Sequence, residues 1–240
     1  MSDERIFVVS QVEIYRGADA EPKLAERNDA PYLDDTGKVL RVPVERWQDA
    51  QVYEHDTWVV YNKGARADRN KEHADGFGGY KDLPNDLGLV AEVGCGPFTN
   101  LVFALEGRKA KHVTLLDPQV NAYRETHPHC TYADGTLAGH DVTLVESKLE
   151  EFKPRIKLDT LVMVNVLPHC QDADVALAAA KNALKKGGLL VFHELPRMID
   201  PTQHFDMGHP LSFDDAYLNA FLEDFEEVYR NGWYIIGRKK

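Results

Sequence analysis

The chain has 240 residues, of which 43% are hydrophobic and 28% charged, and its formal net charge is −11. This size and composition suit one large folded domain, or one domain with an elaborated terminus, and argue against global disorder. A strongly acidic surface repels phosphate backbones and anionic lipids, so we expect neither nucleic acid nor a membrane as partner.

Targeting and redox signals are weak. No apolar run approaches the roughly 20 residues that span a bilayer, and the acidic N-terminus lacks the pattern of a secretory signal. The three cysteines, Cys95, Cys130 and Cys170, lie far apart and form no Cys-x-x-Cys pair, which excludes a disulfide framework and a cysteine-based zinc site. We therefore predict a cytoplasmic protein.

The pattern of apolar and polar residues changes near residue 86. We predict an N-terminal extension with a helical and lid region over residues 1–85, followed by the main domain over residues 86–240. Short β-like runs occupy Ile6–Tyr15 and Val39–Val44 within the extension.

A helix is predicted from Trp47 to about Asn62, because its aromatic and polar members share one helical face: Trp47, Gln51, Glu54 and Trp58. This face either roofs a binding pocket or packs its tryptophans on the core. The following stretch, residues 66–85, is polar and rich in glycine, which predicts a mobile connection.

From residue 88, β-like and helical segments alternate. The predicted strands are Gly88–Val93, His112–Leu116, Val142–Val145, Asp159–Val166 and Gly188–Leu195, and the predicted helices are Asn100–Gly107, Val120–Thr126, Ala173–Lys186 and one capped by Ser212 that runs to about Glu223. Crossover connections of this kind predict a doubly wound, mostly parallel α/β sheet with helices on both faces.

The last two apolar runs, Phe225–Arg230 and Trp233–Gly237, are joined by Asn231-Gly232. Asn-Gly is a strong hairpin signal because both central positions of its usual turn need positive φ. An antiparallel C-terminal hairpin thus brings the predicted sheet to seven strands.

A glycine-rich loop, Glu92-Val93-Gly94-Cys95-Gly96, lies between the first of these strands and a helix. Glycines there let a ligand approach the backbone, and helix N-terminal amides can meet an anion. Asp117 follows Gly96 by 21 positions, at the carboxyl end of the next strand, where a carboxylate can accept hydrogen bonds from ribose hydroxyls. A nucleotide-like ligand is therefore predicted across these strand ends.

The loop departs from the dinucleotide fingerprint. That fingerprint places a small residue three positions after its second glycine, where this chain has Thr99, and Glu92 would add negative charge near a pyrophosphate. A phosphate-free cofactor such as S-adenosyl-L-methionine fits better. An NAD(P)-dependent oxidoreductase on a similar sheet is the alternative.

At these residues the chain resembles the class I S-adenosylmethionine-dependent methyltransferases, over roughly residues 86–240. The segments that carry the resemblance are Glu92–Gly96, Val113–Asp117, Asp159–His169 and Leu184–Val191, together with the closing hairpin. It implies a Rossmann-like methyltransferase fold and methyl transfer, by in-line displacement, to oxygen or nitrogen of a small-molecule acceptor. A catalytically inactive methyltransferase-like binding subunit is a second alternative.

The resemblance also implies the cofactor's surroundings. Gly94 and Gly96 would lie against its methionine part, Asp117 would bind the ribose, and Asn165 would border the methyl group. The residues predicted to bind the cofactor are Glu92, Gly94, Cys95, Gly96, Asp117, Pro118, Lys148, Leu149, Asn165, Val166 and Gln51. A looser resemblance to a bacterial branch associated with sugar methylation makes a sugar a candidate acceptor.

Three histidines are candidate catalytic residues: His169, His193 and His209. An acceptor hydroxyl would use a nearby base, whereas an amine needs only its neutral form. His193 and Glu194 point to opposite faces of a strand and no His-x-x-x-His spacing occurs, so we predict no metal site. The sequence leaves the oligomeric state open.

Overall fold

The computed structural model describes residues 38–198 and 207–240. Within these ranges the strands are β1 (Leu89–Val93), β2 (His112–Leu116), β3 (Thr136–Leu137), β4 (His140–Val145), β5 (Leu158–Val164), β6 (Leu184–His193), β7 (Phe225–Asn231) and β8 (Tyr234–Lys239). The α-helices are α1 (Val44–Asp56), α2 (Lys71–Gly76), α3 (Leu101–Ala104), α4 (Val120–Thr126), α5 (Ala173–Ala183) and α6 (Asp215–Leu222). In these ranges, no helix combines the length and apolarity that a bilayer crossing requires. The predicted run Ile6–Tyr15 lies outside them.

These strands form one sheet in the order β3-β4-β2-β1-β5-β6-β8-β7. The strands from β4 to β6 in that order pair in parallel, whereas β8 runs antiparallel to both β6 and β7. The predicted doubly wound α/β class and the antiparallel hairpin are therefore confirmed. The sheet described here also has an eighth strand, the two-residue β3, which pairs antiparallel with β4 at the edge.

Both faces of the sheet are buried. Successive side chains of a strand point to opposite faces, and in β5 Leu161 and Met163 belong to the core that includes α5. Val162 and Val164 belong to the second core, on the opposite face, which includes Tyr80. Strands covered on both sides need apolar residues at every position, so this strand reads as a continuous apolar run rather than an alternating one.

The hairpin turn differs in register from the prediction. Asn231 pairs with Tyr234, so the two loop residues are Gly232 and Trp233. Among them only Gly232 has positive φ, at 59°, which is the pattern of a type II′ turn. The glycine therefore supplies the one left-handed position, and Asn231 belongs to the strand.

Two predicted helix boundaries are wrong. The helix predicted to reach Lys186 ends at Ala183, and the glycine pair that follows lies inside β6, where the pairing with β5 shifts register. Gly187 has φ +77° there, so the glycines form an irregularity of the strand instead of ending a helix. Ser212 does not cap α6; its Oγ accepts a hydrogen bond from the Val39 amide, and Asp214 is the cap.

The segment Val39–Val44 forms isolated bridges rather than a strand. Val39 pairs with Ser212 and Arg41 with Asp172, so this part of the extension is fixed to the main domain. The helix predicted from Trp47 is confirmed as α1, which continues into a π-helical turn at Thr57–Tyr61.

The stretch predicted as a mobile connection, residues 66–85, contains regular structure in the described chain. The chain forms short helical turns at Ala67–Asn70 and Gly78–Tyr80 on either side of α2. Phe77 and Tyr80 are buried and stacked on each other, and Phe77 meets the ring of Tyr234 edge-on at 5.1 Å. These aromatic contacts pack the segment against the sheet, whereas its glycine content had indicated a loop with few contacts.

Gly76 provides a test of this packing. A Cβ atom there would lie 2.5 Å from the ring of Tyr234, whereas nothing lies within 4 Å of a Cβ at Gly64. Gly76→Ala is expected to lower the free energy of unfolding by about 1–3 kcal/mol through overpacking. Urea denaturation measures the change, with Gly64→Ala as the matched control. Equal stability of the two variants would contradict the described packing of this segment.

Candidate active site

A cleft that is partly open to solvent lies at the carboxyl ends of β1, β2 and β5. In parallel α/β sheets ligands bind at this edge, where the strand order reverses. All residues predicted to bind the cofactor line this cleft except Glu92: Gly94, Cys95, Gly96, Asp117, Pro118, Lys148, Leu149, Asn165, Val166 and Gln51. Spacing in the sequence had pointed to Gly94, Gly96 and Asp117, and the family resemblance to most of the others.

The two loop glycines have different surroundings. Both have positive φ, 61° at Gly94 and 52° at Gly96. A Cβ atom at Gly94 would lie 2.7 Å from a methyl group of Val166, so this glycine allows the two loops to approach each other. Nothing lies within 4 Å of a Cβ at Gly96, which leaves open space beside the loop for a ligand.

Glu92 supports the glycine loop from behind and does not line the cleft. Its carboxylate accepts hydrogen bonds from the amide and side chain of Asn100, each at 2.9 Å, and from the amide of Leu101 at 3.1 Å. The Thr99 hydroxyl donates to it as well. Burial raises the pKa of Glu92 to about 7, although these hydrogen bonds favour the ionised form. The predicted contact with the cofactor is corrected, because the carboxylate is occupied by the start of the next helix.

Asp117 is buried at the end of β2 and lines the cleft. One carboxylate oxygen accepts the amide of Gly96 at 3.1 Å, and the other accepts the amide of Gln119 at 2.8 Å. Burial raises the pKa of Asp117 to about 6, and the two backbone hydrogen bonds oppose this rise. Each oxygen has a further lone pair, so the carboxylate can accept two more hydrogen bonds from a ligand.

Helix α1 covers the cleft. Trp47, Gln51, Glu54 and Trp58 all line it, so the face that sequence analysis singled out lies over the strand ends. The indole of Trp47 and the amide of Gln51 both donate to the carbonyl of His169, at 3.1 and 3.3 Å. The ammonium of Lys148 lies 4.9 Å from the centroid of the Trp47 ring. These contacts hold the helix against the loops that follow β4 and β5.

The loop after β5 is held by a second buried carboxylate that sequence analysis did not assign to this role. Glu194 is fully buried, and its Oε1 accepts the amides of Val166 at 2.8 Å and Leu167 at 3.1 Å. The preceding residue, Asn165, has φ +56°, an uncommon conformation for a residue other than glycine. Backbone strain of this kind persists where surrounding contacts enforce it, and the two hydrogen bonds supply such contacts.

The three predicted catalytic histidines lie in different surroundings. His169 lines the cleft, with Nδ1 2.9 Å from the carbonyl oxygen of Gly208 and 3.6 Å from Oε1 of Glu54. The ring of His209 lies against it, with 4.3 Å between the centroids.

His193 is separate from this pair. It is buried and stacked on Tyr234 at 3.8 Å, outside the cleft lining. Burial lowers its pKa to about 4, and nearby His73 acts in the same direction. The interpretation of His193 as a residue that meets the acceptor is therefore corrected: its ring is part of an aromatic stack between β6 and β8.

Solved methyltransferases share this fold. The N-methyltransferase NodS of Bradyrhizobium japonicum in complex with S-adenosyl-L-homocysteine has a TM-score of 0.57 at 15% identity, covering 81% of this chain and 98% of its own. An O-methyltransferase family protein of Burkholderia thailandensis has a TM-score of 0.55 at 17% identity, covering 96% of this chain and 71% of its own. Magnesium protoporphyrin IX methyltransferase (ChlM) of Synechocystis with bound SAM reaches 0.50 at 14% identity, with 80% and 98% covered. A search of curated proteins gives no match.

The fold of the described residues is that of these solved methyltransferases. Residues 91–190 match the family described as a methyltransferase domain. This part of the chain is therefore a methyltransferase domain. Together with the shared fold, the match supports an enzyme that uses S-adenosyl-L-methionine as its cofactor, as the sequence predicted. The match decides against the oxidoreductase alternative.

Glu194 gives a pH-dependent prediction. Burial raises its pKa from 4.5 to about 8, so between these values the native state keeps a proton that the unfolded state has released. Its contribution therefore lowers stability as pH rises through this window, by at most about 1.4 kcal/mol per pH unit. Glu194→Gln keeps an acceptor oxygen but cannot ionise, so we expect a shallower loss of stability between pH 6 and 8.

Urea denaturation across this pH range measures the slopes. The exposed Glu226 serves as control, because Glu226→Gln should leave the wild-type slope unchanged. A Glu194→Gln variant with the wild-type slope would show that this carboxyl is ionised in the native state.

Proposed function

We propose that the chain binds S-adenosylmethionine in this cleft and transfers its methyl group to oxygen or nitrogen of a small-molecule acceptor. The observation that carries the proposal is Asp117, a buried carboxylate bonded to the amide of Gly96 beside open space. The hydrogen bond places the carboxylate of Asp117 beside the backbone of Gly96, which no side chain covers. An adenosyl ligand with a phosphate-free tail uses both.

The lining residues support one orientation of the cofactor. The ribose hydroxyls donate to Asp117, and the methionine part lies along Gly94, Cys95 and Gly96. The adenine lies toward Pro118, Lys148 and Leu149, where Leu149 supplies a buried apolar contact. This leaves the sulfonium methyl near Asn165 and Val166, beneath helix α1.

Methyl transfer in this orientation requires an acceptor lone pair opposite the departing sulfur. The carbon–sulfur bond breaks as the new bond to the acceptor forms, and the bonding pair stays on sulfur, which becomes neutral. The acceptor atom takes up the positive charge and loses it by releasing its proton to solvent. Correct alignment of the two reactants can supply up to about 7–11 kcal/mol of the barrier reduction. The covering helix α1 supports this role because it limits access of water to the cleft.

The acceptor approaches from the side of His169 and His209, which we propose as the residues that contact it. Aromatic rings and hydrogen-bonding groups share this end of the cleft, namely Trp47, Trp58, Glu54 and Gln51. Such a mixture suits a small polar acceptor, and a sugar is a candidate of that kind. The net charge of −11 makes a nucleic acid acceptor unfavourable.

Cofactor binding through Asp117 can be tested directly. Asp117→Ala removes a charged hydrogen-bond acceptor, which should weaken binding by about 1.5–3 kcal/mol, or roughly 10- to 150-fold. Calorimetry with S-adenosylhomocysteine measures the dissociation constant, and circular dichroism checks the fold. Asp134→Ala is the control, since Asp134 is exposed and lies outside the cleft lining. An unchanged dissociation constant in a folded Asp117→Ala protein would refute the proposed ribose contact.

Turnover separates an enzyme from a binding subunit. The protein incubated with S-adenosylmethionine and a small-molecule extract should yield products heavier by one methyl group, detected by mass spectrometry. His169→Ala should reduce the rate of product formation at least tenfold while leaving S-adenosylhomocysteine affinity within about threefold, because the imidazole contacts the acceptor. His112→Ala, at an exposed position, is the control. Cofactor binding without product from any extract would favour the inactive-subunit alternative.

A further inference from the structure

Three side chains from separate segments meet at the acceptor end of the cleft. Glu54 lies in α1, His169 follows β5, and His209 precedes α6. One carboxylate oxygen and one nitrogen from each imidazole lie within 4.8 Å of one another. We propose that Glu54, His169 and His209 bind a divalent transition-metal ion, although sequence spacing predicted no metal site.

The donor set and its dimensions support this assignment. Two imidazoles and one carboxylate suit zinc, iron, cobalt or manganese rather than calcium or magnesium, which prefer oxygen ligands. Bonds of about 2.0–2.1 Å in a tetrahedral site separate ligand atoms by roughly 3.4 Å. The three donor atoms already lie within 4.8 Å of one another, so each pair needs closure of about 1.4 Å at most to reach this separation. Small rotations of these partly exposed side chains can supply it.

The groups around the cluster orient its members. The carbonyl of Gly208 lies 2.9 Å from Nδ1 of His169, and the indole of Trp58 donates to Oε2 of Glu54 at 3.2 Å. Backbone and side-chain partners of this kind usually fix the ligands of a metal ion. A Cβ atom at Gly208 would lie 2.6 Å from Oε1 of Glu54, so glycine at this position allows the carboxylate to approach the histidine beside it.

The position of the cluster gives the ion a role in the reaction, and this part rests on the proposed function. Glu54 and His169 both line the cleft, so a tetrahedral ion with three protein ligands would have its fourth position available to an acceptor. An acceptor hydroxyl bound to the ion loses its proton to solvent more readily. Its oxygen then forms the bond to the methyl carbon as the carbon–sulfur bond breaks. A metal site here narrows the acceptor class to hydroxyl compounds, of which a sugar diol could occupy two positions on the ion.

Metal binding can be measured without cofactor or acceptor. Protein freed of metal by a chelator, and then of the chelator, is titrated with Co²⁺ by visible absorption and with Zn²⁺ by calorimetry. We expect one equivalent of each ion per chain, and the Co²⁺ spectrum should show imidazole ligation. His209→Gln and Glu54→Gln should each weaken binding at least about tenfold, because each removes one of three ligands.

The matched control is His112→Ala, which removes an exposed histidine outside the cluster and should leave binding unchanged. Circular dichroism confirms that each variant is folded. The proposal is overturned if the wild-type protein binds neither ion, or if His209→Gln and Glu54→Gln bind both with wild-type affinity.

Calorimetry with S-adenosylhomocysteine on the same metal-free protein separates this inference from the proposed function. Cofactor binding without metal binding refutes the metal site alone. Metal binding without cofactor binding refutes the proposed methyl transfer and leaves the ion site established.

Discussion

Two buried carboxylates determine the shape of the cleft, and the geometry of the site depends on them. Glu92 accepts hydrogen bonds at the start of α3, and Glu194 accepts the amides of Val166 and Leu167. Loop amides at strand ends lack sheet partners, and leaving them unsatisfied in a buried place costs about 1–3 kcal/mol each. Placing an acidic residue beneath each loop satisfies these donors from the protein side. The surface of each loop that faces the cleft then remains open to a ligand.

The same arrangement explains the strain at Asn165 and the close approach of the two loops. Gly94 packs against Val166, and Val166 is held by Glu194, so the two loops are fixed relative to each other. Helix α1 completes the site by bonding to the carbonyl of His169 through two side chains. The cleft is therefore assembled from hydrogen bonds between segments that are distant in sequence.

The features predicted well are those with local causes. β2 and α4 were predicted with their observed bounds, because apolar runs and helical periodicity are read within a few residues. Asp117 could be placed in the cleft because an acid that ends the second parallel strand lies beside the loop that ends the first. Gly94 and Gly96 could be identified from the local sequence, because backbone positions with positive φ favour glycine.

The features missed depend on contacts between distant residues. The segment containing Phe77 and Tyr80 is rich in glycine, and only the ring of Tyr234 reveals why it packs tightly. The side chain of Glu92 bonds to the loop after its own strand, and the ring of His193 stacks on Tyr234. The position of each residue in its strand did not reveal that these side chains lie outside the cleft. Glu54, His169 and His209 come from three segments that are far apart in the sequence. Their spacing matches no metal-binding motif, so only the folded chain shows that they lie together.

The order of strands has a consequence for folding. β8 lies between β6 and β7, so β6 presents an unpaired edge until a strand from much later in the chain is inserted beside it. That edge carries Leu190, Val191 and Phe192, which is a sequence suited to pairing with the same strand of a neighbouring molecule. In the folded chain the β7–β8 hairpin, closed by the type II′ turn at Gly232, covers this edge. Pairing with β8 therefore protects β6 from edge-to-edge association, separately from what the hairpin adds to the stability of the sheet.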